Sequence, residues 1–204
     1  MLRFFVLLAL AALSCVTASA EQLDDAARAK LRAENKSIVL LHTSMHESNC
    51  QLVQARLVQR DGSGRYVQGD LVTLRWGFDA KVPSQITLPP GDYGLVSFRC
   101  QNGSWTRSFG AGKQVQTGSI LDGSGSIYEP TATFKVGRGE IVDIGSVQMH
   151  TSSTGPRRAV FTTVIAPIPP PWLNNLAIAN PKLVRDRIVR PMSCRPNPPT
   201  PCRS

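Results

Sequence analysis

The sequence has 204 residues, 42% of them apolar, with five cysteines and a formal net charge of +9. Beyond an apolar leader, no run is long and apolar enough for a transmembrane helix, and the length suits one domain with its own core. The charge is unevenly placed: positions 21–155 hold 14 basic and 13 acidic residues, while 156–204 hold eight basic residues, one acid (Asp186) and eleven of the 15 prolines.

Residues 1–20 combine an early cation, Arg3, an apolar run over 4–13 and the small-residue end Ala18-Ser19-Ala20. This pattern predicts a signal peptide cleaved after Ala20, hence a periplasmic or secreted address. The rival reading, a lipid anchor on Cys15, has a poorer approach, because Leu13 and Ser14 suit a lipobox badly. Residues 21–36 are an Ala-rich charged leader with Leu23, Ala27 and Leu31 at spacing four, read as a short helix or a disordered end.

The β-branched, apolar run 37–43 predicts a buried strand, and 50–59 a second. A turn at Asp61-Gly62-Ser63-Gly64 leads into a long strand over 66–78. Its apolar residues keep to no single face, which predicts a bulge near Gly69-Asp70. A strand ending near Leu88 must then reverse at Pro89-Pro90-Gly91-Asp92, since neither proline can donate to a ladder. In the strand that follows, Tyr93, Leu95 and Ser97 are expected on one face and Gly94, Val96 and Phe98 on the other. Bulk on both faces marks a central strand.

Asn102-Gly103 predicts a tight hairpin returning over 104–109, and 110–125 reads as a Gly-, Ser- and Gln-rich loop with at most a short strand over 115–120. Asp122-Gly123-Ser124-Gly125 repeats the tetrapeptide at Asp61, and a tyrosine follows each copy (Tyr66, Tyr128). Residues 131–136 and 141–149 are expected to pair as a hairpin across Gly137-Arg138-Gly139-Glu140, with 158–165 as the last strand. Strands this short and regularly punctuated argue for a mainly β fold, a single antiparallel β-sandwich over 37–166. Residues 167–204 form a short helical, Pro-rich, basic extension. There Trp172, Leu176 and Ala179 share a helical face, and Asn180-Pro181 reads as the cap and first position of a second helix toward Arg190.

Leu88-Pro89-Pro90-Gly91-Asp92-Tyr93 resembles the Pro-Gly-x-Tyr turn and strand of prealbumin-like, carboxypeptidase-regulatory-like sandwiches. The stretch from Phe134 to Gly145, with its Gly139-Glu140 turn before an apolar strand, resembles uncharacterised exported or lipid-anchored bacterial envelope proteins. Trp172, Pro181 and Arg190-Pro191-Met192 are similar to the helical ends of some of them. The resemblance implies a sandwich fold and a bacterial envelope address. It implies no active site, because the matching positions are structural.

The mature chain keeps Cys50, Cys100, Cys194 and Cys202, an even number suited to an oxidising compartment. Of the three pairings available, Cys50–Cys100 would staple two strands of the body, and Cys194–Cys202 would close a short proline-bent loop. A free thiol activated by His42, His46 or His150 is the catalytic alternative. His42 and His46 stand where a strand runs into a loop, so helical ligand spacing does not apply to them. Asp122 to Glu129 lacks the alternating carboxylates of a calcium loop, and the chain has no nucleophile elbow and no phosphate loop. No catalytic residue, metal or cofactor is assigned.

The extension's net charge of +7 favours an anionic partner. Arg157, Arg158, Lys182, Arg185, Arg187 and Arg190 are the candidate contacts to lipopolysaccharide, lipid headgroups or acidic glycan, or to another envelope protein. Nucleic acid fits poorly, since the chain is expected to be exported and aromatic interleaving is confined to Trp172. The plainer reading, that these cations only keep a proline-rich tail soluble, stands beside it. Three function classes follow: a non-enzymatic cell-envelope module, structural or binding; a secreted hydrolase using His42 or His46; and an inhibitor or effector acting through the loop closed by Cys194 and Cys202.

Overall fold

The computed structural model describes residues 25–45, 51–67, 69, 71–74, 81–110, 112–116, 125–155, 158–199 and 201–204. The expected signal peptide, Cys15, His46, Cys50 and Arg157 lie outside the described residues. The chain opens with α1 (Asp25–Ala33), β1 (Ser37–Met45), β2 (Leu52–Arg60), β3 (Tyr66–Val67), β4 (Leu71–Leu74) and β5 (Ser84–Leu88). It continues through β6 (Gly91–Asn102), β7 (Trp105–Gly110), β8 (Lys113–Gln116), β9 (Ile127–Glu129), β10 (Ala132–Val136), β11 (Ile141–Gly155) and β12 (Arg158–Ala166). The C-terminal extension holds α2 (Pro170–Ala179), α3 (Pro181–Arg185), β13 (Ile188–Val189), β14 (Ser193–Cys194) and β15 (Cys202–Arg203).

The strands form two sheets, as the sandwich reading expects. The first has the order β15-β12-β11-β1-β5, with β13 also on β11. The second has the order β14-β10-β6-β2-β3-β9-β8, with β4 also on β2 and β7 on β6. Most pairs are antiparallel, but the first sheet is mixed. There β11 runs parallel to β1 and β13, and β12 runs parallel to β15.

One core lies between the sheets: Val39 and Leu41 of β1, with Val142, Ile144 and Val147 of β11, meet Val53, Ala55, Leu95, Phe98 and Phe134 of the second sheet. The opposite face of the first sheet is covered as well. Leu40 and Ile141 pack there against Ile168, Leu176 and Leu183, with Ala27, Leu31 and Trp172 at the margin. The three helices are therefore a third layer. Strand β1 is buried on both faces, which is why its sequence reads as an unbroken apolar run rather than an alternation.

Of the expected long strand over 66–78, the described residues hold β3 and β4, both paired with β2, and the expected bulge at Gly69-Asp70 and residues 75–78 fall largely outside them. A side chain at Gly69 could not sit there, because its Cβ would fall 1.9 Å from the Leu57 carbonyl oxygen.

Two expectations are corrected. Phe98 faces the core with Tyr93 and Leu95, because the β2–β6 register shifts between Arg56 and Leu57 and gives β6 one extra residue. Val96, the residue passed over, points to the outer face with Val58 and Tyr128. Further on, β10 and β11 do not pair. β10 lies beside β6 in the second sheet and β11 beside β1 in the first, so Gly137-Arg138-Gly139-Glu140 turns a corner between layers. The Glu140 carboxylate accepts the Gly137 N–H at 2.6 Å and the Ser37 hydroxyl donates to the Gly137 carbonyl at 2.6 Å, while Gly139 takes φ +68°. Apolar content marks both strands correctly but does not say whether the second returns to the same sheet.

The extension is woven into the sandwich. It adds β13 and β15 to the first sheet and β14 to the second, and the Cys194–Cys202 disulfide (Cα–Cα 5.7 Å) ties the two sheets at their edges. The Asn180 side chain caps α3 by accepting the Leu183 N–H at 3.4 Å, as its position before Pro181 predicts. α3 stops at Arg185 instead of running to Arg190. The chain then straightens so that Arg190 and Met192 donate their backbone N–H groups to the Asp143 and Ile144 carbonyls. Cys100 is itself disulfide-bonded.

Candidate functional site

The cations of the extension divide into those that hold it in place and those that face outward. Arg187 Nε donates to the Asp143 carboxylate at 3.2 Å, and Arg190 Nη1 to Glu140 at 3.0 Å. Asp186 takes Arg185 Nε at 2.7 Å and Arg28 Nη1 of α1 at 3.0 Å. The Arg185 guanidinium beside Asp186 holds that carboxyl below its ordinary value, with Arg28 and Lys182 adding to the effect. Burial pushes the Glu140 carboxyl up, but the Arg190 guanidinium and the Gly137 N–H outweigh it and leave the group low. Of the six expected surface contacts, Arg187 and Arg190 thus stand at the seam between extension and body, while Arg185 pairs within the extension and Lys182 adds its charge near Asp186. Arg158 begins β12, opposite Gly155.

A second basic cluster lies on the outer face of the second sheet. A groove of about 530 Å³ is lined there by Arg60, Arg65, Tyr66, Glu129, Thr133 and Arg195, among others. The Asp61-Gly62-Ser63-Gly64 turn builds one wall. Asp61 Oδ1 accepts the backbone N–H groups of Ser63 and Arg65, both at 2.9 Å, and Gly64 adopts φ +85°. Arg60 Nε donates to the Gly64 carbonyl at 3.0 Å, which fixes its guanidinium at the rim. Hydrogen bonds from Ser63 and Arg65 keep the Asp61 carboxyl below its ordinary value.

The floor is aromatic. Tyr66 of β3 pairs with Tyr128 of β9, the two tyrosines that follow the repeated tetrapeptides. A Cβ on Gly94 would fall 2.4 Å from Pro130 Cγ and 3.3 Å from Tyr66 Cδ1, so the absent side chain lets both lie on the sheet. The other wall is the disulfide loop. Arg195 follows Cys194, anchors its N–H on the Thr131 carbonyl at 3.0 Å, and sets its guanidinium 5.9 Å from the Tyr66 ring centre. Sequence reasoning counted Arg60 and Arg65 into a near-neutral body and Arg195 into a loop. The repeated turn-plus-tyrosine was the available signal.

The histidines do not form a comparable site. His42 is 7% exposed, with Nδ1 2.7 Å from Ser146 Oγ and its ring 4.5 Å from that of Trp172. It sits beneath α2 rather than in a cleft, and burial pushes its pKa below the ordinary value. His150 lies four residues beyond Ser146 on the same strand, opposite Thr162. Among the described residues no cluster of His, Cys, Asp and Glu could hold a metal, and no helix is long and apolar enough to cross a membrane.

The buried imidazole predicts a pH response. The unfolded chain takes up a proton near pH 6.5 that folded His42 refuses, so stability falls as pH drops below that value toward the lower folded pKa. Urea midpoints of the wild type should decline between pH 7 and pH 5 more steeply than those of His42→Gln. Parallel slopes would show that another group carries the response. No protein family, no curated protein and no solved structure matches the chain.

Proposed function

We propose that the protein is an exported, non-enzymatic module of the cell envelope that binds an anionic partner, and that its contact surface is the groove between Arg60, Arg65 and Arg195. The observation that carries this reading is the sorting of the cations. Arg187 and Arg190 are held by Asp143 and Glu140 of the body and Arg185 by Asp186, whereas the Arg195 guanidinium meets only an aromatic ring among the described residues and Arg65 keeps an exposed contact to Asp61 at 3.5 Å. Arginine on a flat, preorganised wall suits carboxylate or phosphate recognition. The loop closed by Cys194 and Cys202 lines the groove, which favours a recognition surface over a projecting inhibitor loop. The buried setting of His42 favours a binding role over hydrolysis.

The extension supplies strands to both sheets, so deleting it is no test of docking. Point variants are. Heparin, a generic polyanion, should retain the wild type in a salt-dependent manner. Replacing Arg60, Arg65 and Arg195 together with Gln should move elution to clearly lower salt. A control carrying Gln at the exposed positions Lys30, Lys36 and Arg138 should elute close to the wild type. Equal loss in both triple variants would mean that charge acts diffusely and that the groove is not the surface.

A further inference from the structure

Resting on that reading, the geometry points to a carboxylated oligosaccharide, a chain of uronate-type sugars, as the occupant of the groove. A volume of about 530 Å³ is far more than one carboxylate or phosphate needs, and it falls within the ~300–1,000 Å³ of sites that enclose extended small ligands. The lining is mixed. Arg60 and Arg195 offer donors to sparse anionic groups, while Thr133, Ser193 and the Glu129 carboxylate suit hydroxyl groups between them. Half-buried Tyr66, beside the Arg195 guanidinium and backed by the buried Tyr128, supplies a partly apolar surface against which a sugar ring can lie.

Glu129 also argues against a dense polyphosphate, which would bring several charges close to that carboxylate. The opposite side of the molecule argues against a lipid surface. Among the described residues the exposed large apolar side chains are Ile178 (83% exposed), Ile188 and Val189, and they sit on α2 and β13 beside the first sheet, across the sandwich from the groove. A bilayer engaged through the groove would therefore gain no apolar insertion among the described residues. Preorganisation is already present: the Gly64 carbonyl holds Arg60, and Tyr66 and the Thr131 carbonyl hold Arg195.

Calorimetric titration with trigalacturonate tests the assignment, alongside its fully methyl-esterified form, inorganic pyrophosphate and phosphatidylglycerol vesicles. Trigalacturonate should bind, the neutral ester should bind about tenfold more weakly, and Arg195→Gln should lose about the same factor for the acid alone, as expected for one charge-assisted contact. Arg60→Gln, on an exposed side chain, is the second variant should Arg195→Gln disturb the disulfide loop. Equal affinity for acid and ester, or a preference for pyrophosphate or vesicles, overturns the sugar assignment. If trigalacturonate fails while heparin retention still depends on the three arginines, the sugar falls and the anionic groove stands. If both fail, both fall.

Discussion

A chain ending at Ala166 should not fold. Residues 167–204 were expected as an extension beyond a finished sandwich, its helix laid along the surface, yet Ile168, Leu176, Leu183 and Met192 are all fully or almost fully buried. Without the first three the outer face of the first sheet, including Leu40 and Ile141, would stand in water, and without Met192 the core between the sheets would lose a buried side chain. Truncating a buried Leu or Met to Ala costs about 2–5 kcal/mol, and a whole domain is stable by only about 5–15 kcal/mol. Losing four such side chains together with three strands exceeds that margin. The truncated chain should lack near-UV circular dichroism, bind a hydrophobic dye and unfold without cooperativity. A sharp urea transition close to that of the full chain would refute the three-layer account.

Milder variants grade the same claim. Leu183→Ala should lower the unfolding free energy by about 2–5 kcal/mol. Removing the Cys194–Cys202 bond, which closes a loop of sequence separation 8, should cost ~2.5 kcal/mol by loop-closure entropy. The second loss should also free Arg195 from its place over Tyr66, so groove binding would weaken along with stability.

The strands were legible wherever local chemistry decides them. The prolines before Gly91, the Asn102-Gly103 tip and the Asp61 turn each impose one backbone geometry, and the structure shows a strand end, a hairpin and a turn at those places. What alternation could not reveal was the choice of sheet. β10 and β11 look like a hairpin because a short glycine-rich turn separates two apolar runs, but their partners lie in different layers. The bulge that turns Phe98 inward is equally silent, since Val96 and Phe98 are both apolar and either could face the core. For the groove, charge counting over long segments misled. Arg60 and Arg65 were averaged against all the acids of the body, most of them remote from the groove, while Arg185, Arg187 and Arg190 of the basic extension pair with acids of its own or of the body. Charge acts over distances in the fold, and the sequence reports only distances along the chain.

Gly145→Ala should be among the most damaging single substitutions, because this residue sets the register of the central strand of the first sheet. Opposite β1, Leu40 pairs with Asp143 and His42 with Ser146, so β11 carries one extra residue between them. That extra residue puts both Ile144 and Val147 in the core; under strict alternation Val147 would face the helices and Ser146 the core. Gly145 absorbs the bulge at φ +89°, and an added Cβ would lie 2.7 Å from the Ala166 carbonyl oxygen, backbone that has no room to yield. Asp143, only 3% exposed, locks the bulge by accepting the Gly145 N–H at 2.9 Å on one oxygen and Arg187 Nε at 3.2 Å on the other. Backbone strain of ~1–3 kcal/mol plus the clash predicts a loss of about 3 kcal/mol or more for Gly145→Ala in urea unfolding. Asp143→Ala, which strands a largely buried arginine, should lose about 3–5 kcal/mol. The two substitutions break one device, so the double variant should fall short of their sum. A change below about 0.5 kcal/mol in Gly145→Ala, the size of an ordinary surface substitution, would mean that the register is held elsewhere.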